Sequence, residues 1–273
     1  MTDAGIDPQL SGVPETLLWT LWQRACEARR PDAVLADPLA VELVERIDYP
    51  FAERFGESFG QVQGLRTRCF DREVRRFLGR HPAGTVVALG EGLETQFWRL
   101  DNGTVRWVGV DLPEVEELRR RLLPAEERVS SRAESALGLG WLEELAGAPA
   151  LVTAQGLFMY LRREEVDALV RALAGSSFVG DLVFDAMPPW LVERSRAGKL
   201  ARGGYAPPRW EWALDDAEAR RLAALSPRIA ALRALPMPRG RGPAFGFLLP
   251  LLHRRVGPLR RRFLSVNRLT FGG

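Results

Sequence analysis

A β-branched run that ends on glycines, followed by a second run that ends on an acid, constrains this chain more than any other feature. Residues 85–90 read TVVALG and open into Gly90-Glu91-Gly92; residues 105–111 read VRWVGVD, with Asp111 nineteen residues after Gly92. Short apolar runs bounded by turn residues predict buried parallel strands. ERVSSRAES (127–135), ALVTAQ (150–155) and FVGDLVFDA (178–186) read as three more, separated by the helices PEVEELRRRLL, opened by Pro113, and REEVDALVRALAG (163–175). Strands alternating with helices predict an α/β fold: a doubly wound, mostly parallel sheet covered on both faces. RIAALRAL and the terminal RFLSVNRLTF are expected to complete it as a hairpin-like pair.

Before Gly84 the pattern is helical. In PETLLWTLWQRACEARR, Leu17, Leu21 and Ala25 recur every four residues with Leu18 and Trp22 beside them, which makes one apolar helix face. Asp37-Pro38 reads as an N-cap with proline at the first helical position, and a third helix carries Val62, Leu65, Cys69, Val74, Phe77 and Leu78. The expected organisation is a helical N-terminal extension over residues 1–83 and an α/β domain over 84–273. Within the latter, residues 187–214 are rich in proline, glycine and aromatics, as suits a lid over an acceptor.

At 273 residues, with 46% apolar and 27% charged side chains, the chain can bury the core of one large domain. No apolar run approaches the roughly 20 residues that span a bilayer; the longest, Ala244 to Leu252, is broken by Gly246 and Pro250. MTDAGIDPQL has neither the basic nor the apolar part of a signal peptide, so the cytoplasm is the expected location, without membrane association. Cys26 and Cys69 are expected to be reduced thiols. His81 and His253 each stand apart from other ligand types, so no metal site is expected. No acid follows Glu218, whereas twelve arginines do, which leaves residues 1–218 at 3 − 12 = −9. Such a basic region can meet nucleic acid, an acidic partner or its own acidic remainder. No aromatic-interleaved basic stripe accompanies it, so intramolecular pairing is expected and nucleic acid is not.

The strand–GEG turn, with a helix expected to begin at once, lets a ligand approach the backbone closely. Asp111, at the carboxyl edge of the next strand, can accept hydrogen bonds from the two ribose hydroxyls of an adenosine. A dinucleotide fingerprint would require a third small residue where Thr95 stands. The pattern without it suits an adenosine without phosphates, as in S-adenosylmethionine.

The segments PETLLWTLWQRACEARR, ADPLA, LRTRCFD, VVALGEGLETQFWRLDNGTVRW, VDLPEVEELRRRLLP, SALGLGW, TAQGLFMYL and VFDAMP, in this order from Val13 to Phe271, resemble the leucine carboxyl methyltransferase family. Within it they look like the polyketide-pathway branch of tetracenomycin-type carboxyl methyltransferases. The resemblance implies a class I methyltransferase-like fold and S-adenosylmethionine as cofactor. It also implies that Gly90 and Gly92 line the methionine part, that Asp111 holds the ribose and that Arg66 pairs with the cofactor carboxylate. Ser135, Ala136 and Leu137 would border the adenine, and Gln155 would stand beside the methyl-transfer centre. Glu91 and Leu112 are counted with this cofactor-binding set, and Gln155 and Tyr160 are the catalytic candidates. Two positions depart from the family: Gly138 stands where an acid often follows SAL, and Gln155 where glutamate is common.

Structural readings compete with several of these. Arg66 and Arg68, two apart on a helix, cannot share a face. Phe97, Trp98, Phe158 and Tyr160 can be core; Tyr205, Trp210 and Trp212 can line an acceptor pocket or cover a helix. A carboxylate, ionised at neutral pH, needs no general base, and none is evident. The expected activity is therefore methyl ester formation on a small-molecule or peptide-derived acid. The alternatives are a hydroxyl or nitrogen acceptor, a nicotinamide-dependent oxidoreductase, and a non-catalytic binding module.

Overall fold

The computed structural model describes residues 5–56, 61–201, 205–248 and 261–272; His253, the end of the 244–252 run and Arg254, Arg255 and Arg260 lie outside them. The helices are α1 (Thr16–Ala28), α2 (Pro38–Arg46), α3 (Phe51–Phe55), α4 (Val62–Leu78), α5 (Gln96–Leu100), α6 (Pro113–Leu122), α7 (Arg163–Gly175), α8 (Pro189–Arg196) and α9 (Asp216–Ala223). The strands are β1 (Thr85–Leu89), β2 (Arg106–Asp111), β3 (Val129–Ala133), β4 (Ala150–Ala154), β5 (Gly180–Ala186), β6 (Ile229–Ala234) and β7 (Ser265–Phe271).

They form one sheet in the order β3-β2-β1-β4-β5-β7-β6, parallel from β3 to β5. β7 pairs antiparallel with both β5 and β6, so the last two strands do pair, although a long connection separates them and the later one inserts inside. The order reverses after β1, which starts toward β2 and β3 on one side and leaves β4 on the other. That reversal opens a crevice at the carboxyl ends of β1 and β4.

β1 and β4 are buried at every position because layers cover both faces. On one face Val87, Val108, Val110 and Val152 meet Val166, Leu169, Val170 and Leu173 of α7. On the other, Val86, Ala88 and Trp107 meet Phe70, Val74 and Phe77 of α4. α4, which the sequence places in the extension, is thus one of the two layers over the sheet. The remaining extension, α1 to α3, packs its own apolar faces together and against Val115, Leu118 and Leu122 of α6. α2 starts as its sequence predicts: the Asp37 side chain accepts from Ala40 N at 3.2 Å, with Pro38 at the first turn.

The basic C-terminal region meets the acidic remainder of the fold. Arg241 pairs with Glu27 (2.9 Å), Arg268 with Glu73 (3.1 Å) and Arg261 with Asp216 (2.6 Å). Among the described residues, no helix is long and apolar enough to cross a membrane.

Candidate active site

The turn after β1 is built on two left-handed glycines, Gly90 (φ 60°) and Gly92 (φ 56°), a conformation that costs other residues energy. A Cβ on Gly90 would stand 3.2 Å from Leu157, and one on Gly92 3.0 Å from Leu17. The Asp111 carboxylate clasps this turn, accepting from Gly92 N at 2.7 Å and from Leu112 N at 2.8 Å. Burial raises its pKa, and the two N–H groups work against the rise. Each carboxylate oxygen keeps further lone-pair capacity, as a ligand with two hydroxyls requires.

The helix does not begin at once. Leu93, Glu94 and Thr95 intervene, and α5 has only five residues, so no helix N-terminus faces the glycines. Thr95 explains the delay. Fully buried, its hydroxyl donates to Asp37 (2.6 Å) and accepts from Arg24 (3.0 Å). Around it Arg24 pairs with Asp37 (2.9 Å) and Glu94 (2.8 Å), and Arg99 with Asp37 (2.9 Å), Asp71 (3.1 Å) and Glu94 (2.8 Å). The position that a dinucleotide fold gives to a small residue is therefore the centre of an ionic network joining α1, α2, α4 and the loop.

That network reaches the end of β4. Gln155 Nε2 donates to Glu94 Oε2 at 3.2 Å and to Thr67 Oγ1 at 3.4 Å. Its Oε1 is buried with no hydrogen-bond partner among the described residues. Burial pushes Glu94 up, but Arg24 and Arg99 outweigh it and hold the carboxyl down at about 2. Beside Gln155, Arg66 of α4 is buried and ion-paired with Asp185 of β5 at 2.9 Å, while Asp185 accepts from Gly156 N at 2.6 Å. Gly156 is left-handed (φ 81°), and a Cβ there would stand 2.8 Å from the Arg66 guanidinium. Arg68 points elsewhere, donating to the Arg239 carbonyl at 3.3 Å.

The sequence profile of the family described as leucine carboxyl methyltransferase matches residues 17–174. A tetracenomycin polyketide synthesis O-methyltransferase from Streptomyces glaucescens is 37% identical over 205 residues, covering 74% of this chain and 76% of that one. The chain belongs to the leucine carboxyl methyltransferase family. An S-adenosyl-L-methionine-dependent methyltransferase from Gibberella zeae is 34% identical over 199 residues, 65% of this chain and 67% of its own. Among solved structures, a protein from Listeria monocytogenes assigned as an S-adenosylmethionine-dependent methyltransferase has the same fold, with a TM-score of 0.51 and 12% identity over 77% of this chain and all of that one. The protein is an S-adenosylmethionine-dependent methyltransferase of class I architecture.

The residues at the crevice fit that cofactor. The glycine turn presents backbone without side chains, Asp111 offers acceptors for hydroxyls, Arg66 a cation, and the orphaned Gln155 Oε1 an acceptor for an ammonium group. Ser135 Oγ accepts from Leu137 N at 3.2 Å and starts the 3₁₀ turn Ala136–Gly138, next to β3. Leu112 is half-buried beside Asp111. Glu91 is the exception. Its side chain turns away from the crevice into the space between β2 and α6, accepting from Trp107 Nε1 at 2.8 Å and pairing with Arg119 at 2.6 Å. Left-handed glycines on both sides swing that side chain under the sheet, and Arg119 also binds the Gly92 carbonyl. Glu91 thus braces the turn from behind.

Burial raises the Glu91 carboxyl to about 7, with Arg119 and Trp107 opposing. An acid whose folded pKa exceeds its unfolded value of about 4.3 binds its proton more tightly when folded. Its contribution is therefore largest below about pH 4 and is lost as pH rises through 7. A Glu91→Gln variant cannot titrate, so its stability relative to wild type is expected to improve steadily from pH 5 to pH 8. Urea unfolding across that range measures the difference, and a constant difference would contradict the assignment.

The aromatic candidates divide. Phe158 stacks on Phe184 at 4.7 Å, Trp212 packs edge-on to Phe158 and donates to Glu218 at 3.0 Å, and Phe97 is buried against Trp107. These are core. Tyr160 is half-buried at the crevice, close to the Thr16 and Trp210 side chains; burial raises its pKa, so the phenol keeps its proton. Tyr205 packs edge-on against Phe55 at 4.8 Å, which ties the 187–214 segment to the extension. Glu94, Thr67 and Asp185 were not among the expected site residues. All three lie within the family-like segments VVALGEGLETQFWRLDNGTVRW, LRTRCFD and VFDAMP, but what they do is hold other groups in place: Glu94 and Thr67 hold Gln155, and Asp185 holds Arg66 and Gly156 N.

Proposed function

We propose that this methyltransferase forms a methyl ester on a carboxylate of a small-molecule or peptide-derived natural product, of the polyketide kind made by its Streptomyces relative's pathway. The reading rests on one observation: among the described residues, no free base stands at the reacting edge. Gln155 cannot take a proton, Tyr160 holds its own, Glu94 is clamped by two arginines and Asp185 by Arg66. An acceptor that must lose a proton during transfer would lack a partner; a carboxylate arrives ionised.

When bound, S-adenosylmethionine supplies the methyl group from its sulfonium. In this reading Gly90 and Gly92 cradle the methionine part, Arg66 takes its carboxylate, Gln155 Oε1 accepts from its ammonium and Asp111 takes the ribose hydroxyls. Leu112, Ser135, Ala136 and Leu137 border the base. Tyr160 and the 187–214 segment exclude water from the acceptor, which raises the reactivity of an anionic oxygen. Neither nucleic acid nor membrane has a part in this reading; among the described C-terminal arginines, Arg241, Arg268 and Arg261 pair with Glu27, Glu73 and Asp216 of the fold itself. The proposed location is the cytoplasm.

The test is the stability of the product bond. With methyl-labelled cofactor and a panel of polyketide and peptide-derived acids beside the matching alcohols, label is expected on the acids and released as volatile methanol by mild alkali. Label that survives alkali on the product would overturn the carboxylate reading while leaving the family membership intact.

A further inference from the structure

The 187–214 segment carries two aromatic side chains toward Tyr160, each from a different apolar cluster. Trp210 packs with Met159, Met187, Val192 and Leu264, and Tyr205 packs edge-on against Phe55 in the cluster of the helical extension. Trp210 is fixed through its backbone: its N donates to Ser195 Oγ at 3.0 Å, and its carbonyl accepts from Arg196 Nε at 3.2 Å. The next residue, Glu211, donates its N–H to the Met159 carbonyl at 2.7 Å, which ties this stretch to the turn after β4.

Trp210 Nε1 and Tyr205 Oη are buried with no hydrogen-bond partner among the described residues. Proteins rarely bury a donor unpaired, because its lost hydration is then uncompensated. The fully buried indoles do have partners: Trp107 donates to Glu91, Trp141 to the Ala136 carbonyl and Trp212 to Glu218. Trp210 Nε1 stands close to the Tyr160 phenol but outside hydrogen-bonding geometry with it. Tyr205 is 9% exposed; burial raises its pKa, so it keeps its proton, and Tyr160 is the titratable neighbour that acts on it most strongly.

We propose that Trp210 Nε1 and Tyr205 Oη determine acceptor specificity by donating to uncharged carbonyl oxygens on the body of the acceptor, apart from the carboxylate that is methylated. The substrate class is then an apolar acid that carries keto or quinone oxygens, which rests on the acid acceptor proposed above. An anion would call for a cation here, whereas an indole N–H and a phenol O–H match a neutral oxygen. Met159, Met187 and Val192 offer the carbon framework an apolar wall.

Calorimetry on the whole chain saturated with S-adenosylhomocysteine tests this with anthraquinone-2-carboxylate and anthracene-2-carboxylate, acids of one shape that differ in two carbonyl oxygens. Wild type is expected to bind the quinone acid at least about tenfold more tightly. Trp210→Phe and Tyr205→Phe each remove one donor and keep a ring. Each should lower the preference severalfold, and together they should bring the two acids within about threefold, with affinity for the anthracene acid unchanged. A wild type that binds both acids equally, or neither, overturns the proposal, as do variants that keep the full preference. A loss that falls on both acids alike also overturns it, since it would put the donors on the shared carboxylate. Methyl transfer is read separately: a quinone acid that binds with the expected preference but receives no methyl group overturns the acid acceptor and leaves the donor pair standing.

Discussion

An Arg24→Ala variant is expected to lose about 3–5 kcal/mol of folding stability, the range for breaking a buried ion pair by removing one partner. Arg24 is 2% exposed, and its guanidinium serves four acceptors: the Asp37 and Glu94 carboxylates, Thr95 Oγ1 and the Leu93 carbonyl at 2.6 Å. Without it, three buried carboxylates (Asp37, Asp71 and Glu94) share Arg99 as the network's remaining buried arginine, the exposed Arg75 reaching Asp71 only at 4.0 Å. Arg24→Lys should recover only part of the loss, because an ammonium cannot reproduce the planar fork. Urea unfolding gives the measurement, as a shift in midpoint at unchanged slope. A loss below about 1 kcal/mol, that of a surface ion pair, would contradict the buried network. The same variant should weaken cofactor binding, since Arg24 contacts Leu93, Glu94 and Thr95 in succession and so fixes the loop that follows the glycine turn.

The network also shows where the sequence was legible and where it was not. The Asp37-Pro38 cap, the apolar runs of β1 and β4 and the glycine turn with Asp111 at the end of the next strand are written within short stretches, and each lies in the fold where its sequence placed it. α3 was not legible: five residues make a helix here because Phe51 and Phe55 pack with Tyr49 and Trp22, not through local propensity. α9 has a local signal, Asp215 capping Glu218 N at 2.8 Å, which the surrounding proline- and tryptophan-rich stretch obscured. The insertion of β7 between β5 and β6 depends on tertiary pairing and has no local mark. In the site, the glycines and Asp111 could be named because backbone conformation and strand edge demand those residue types. The contact of Gln155 with Glu94 crosses 61 residues and could not be read. Nor could the inward turn of Glu91, which follows from the left-handed backbone on either side of it. Arg66 and Arg68 were rightly assigned to different faces, since helical geometry alone separates residues two apart.

Asp185→Ala probes the same reacting edge from the other side and links stability to function. Asp185 is fully buried; it pairs with Arg66 and accepts from Gly156 N. Its removal leaves a guanidinium that is 3% exposed without its counter-charge and a left-handed glycine without its anchor, so ligand-free protein should lose about 3–5 kcal/mol. If Arg66 also receives the cofactor carboxylate, bound ligand supplies the missing charge. Saturating S-adenosylhomocysteine should then stabilise the variant more than it stabilises wild type, a linkage effect that thermal unfolding with and without ligand reads directly. Asp185→Asn should keep the Gly156 contact while removing the charge, which separates the two causes. An equal or smaller ligand shift in both variants, with the ligand still bound, would show that Arg66 does not face the cofactor carboxylate and serves Asp185 alone.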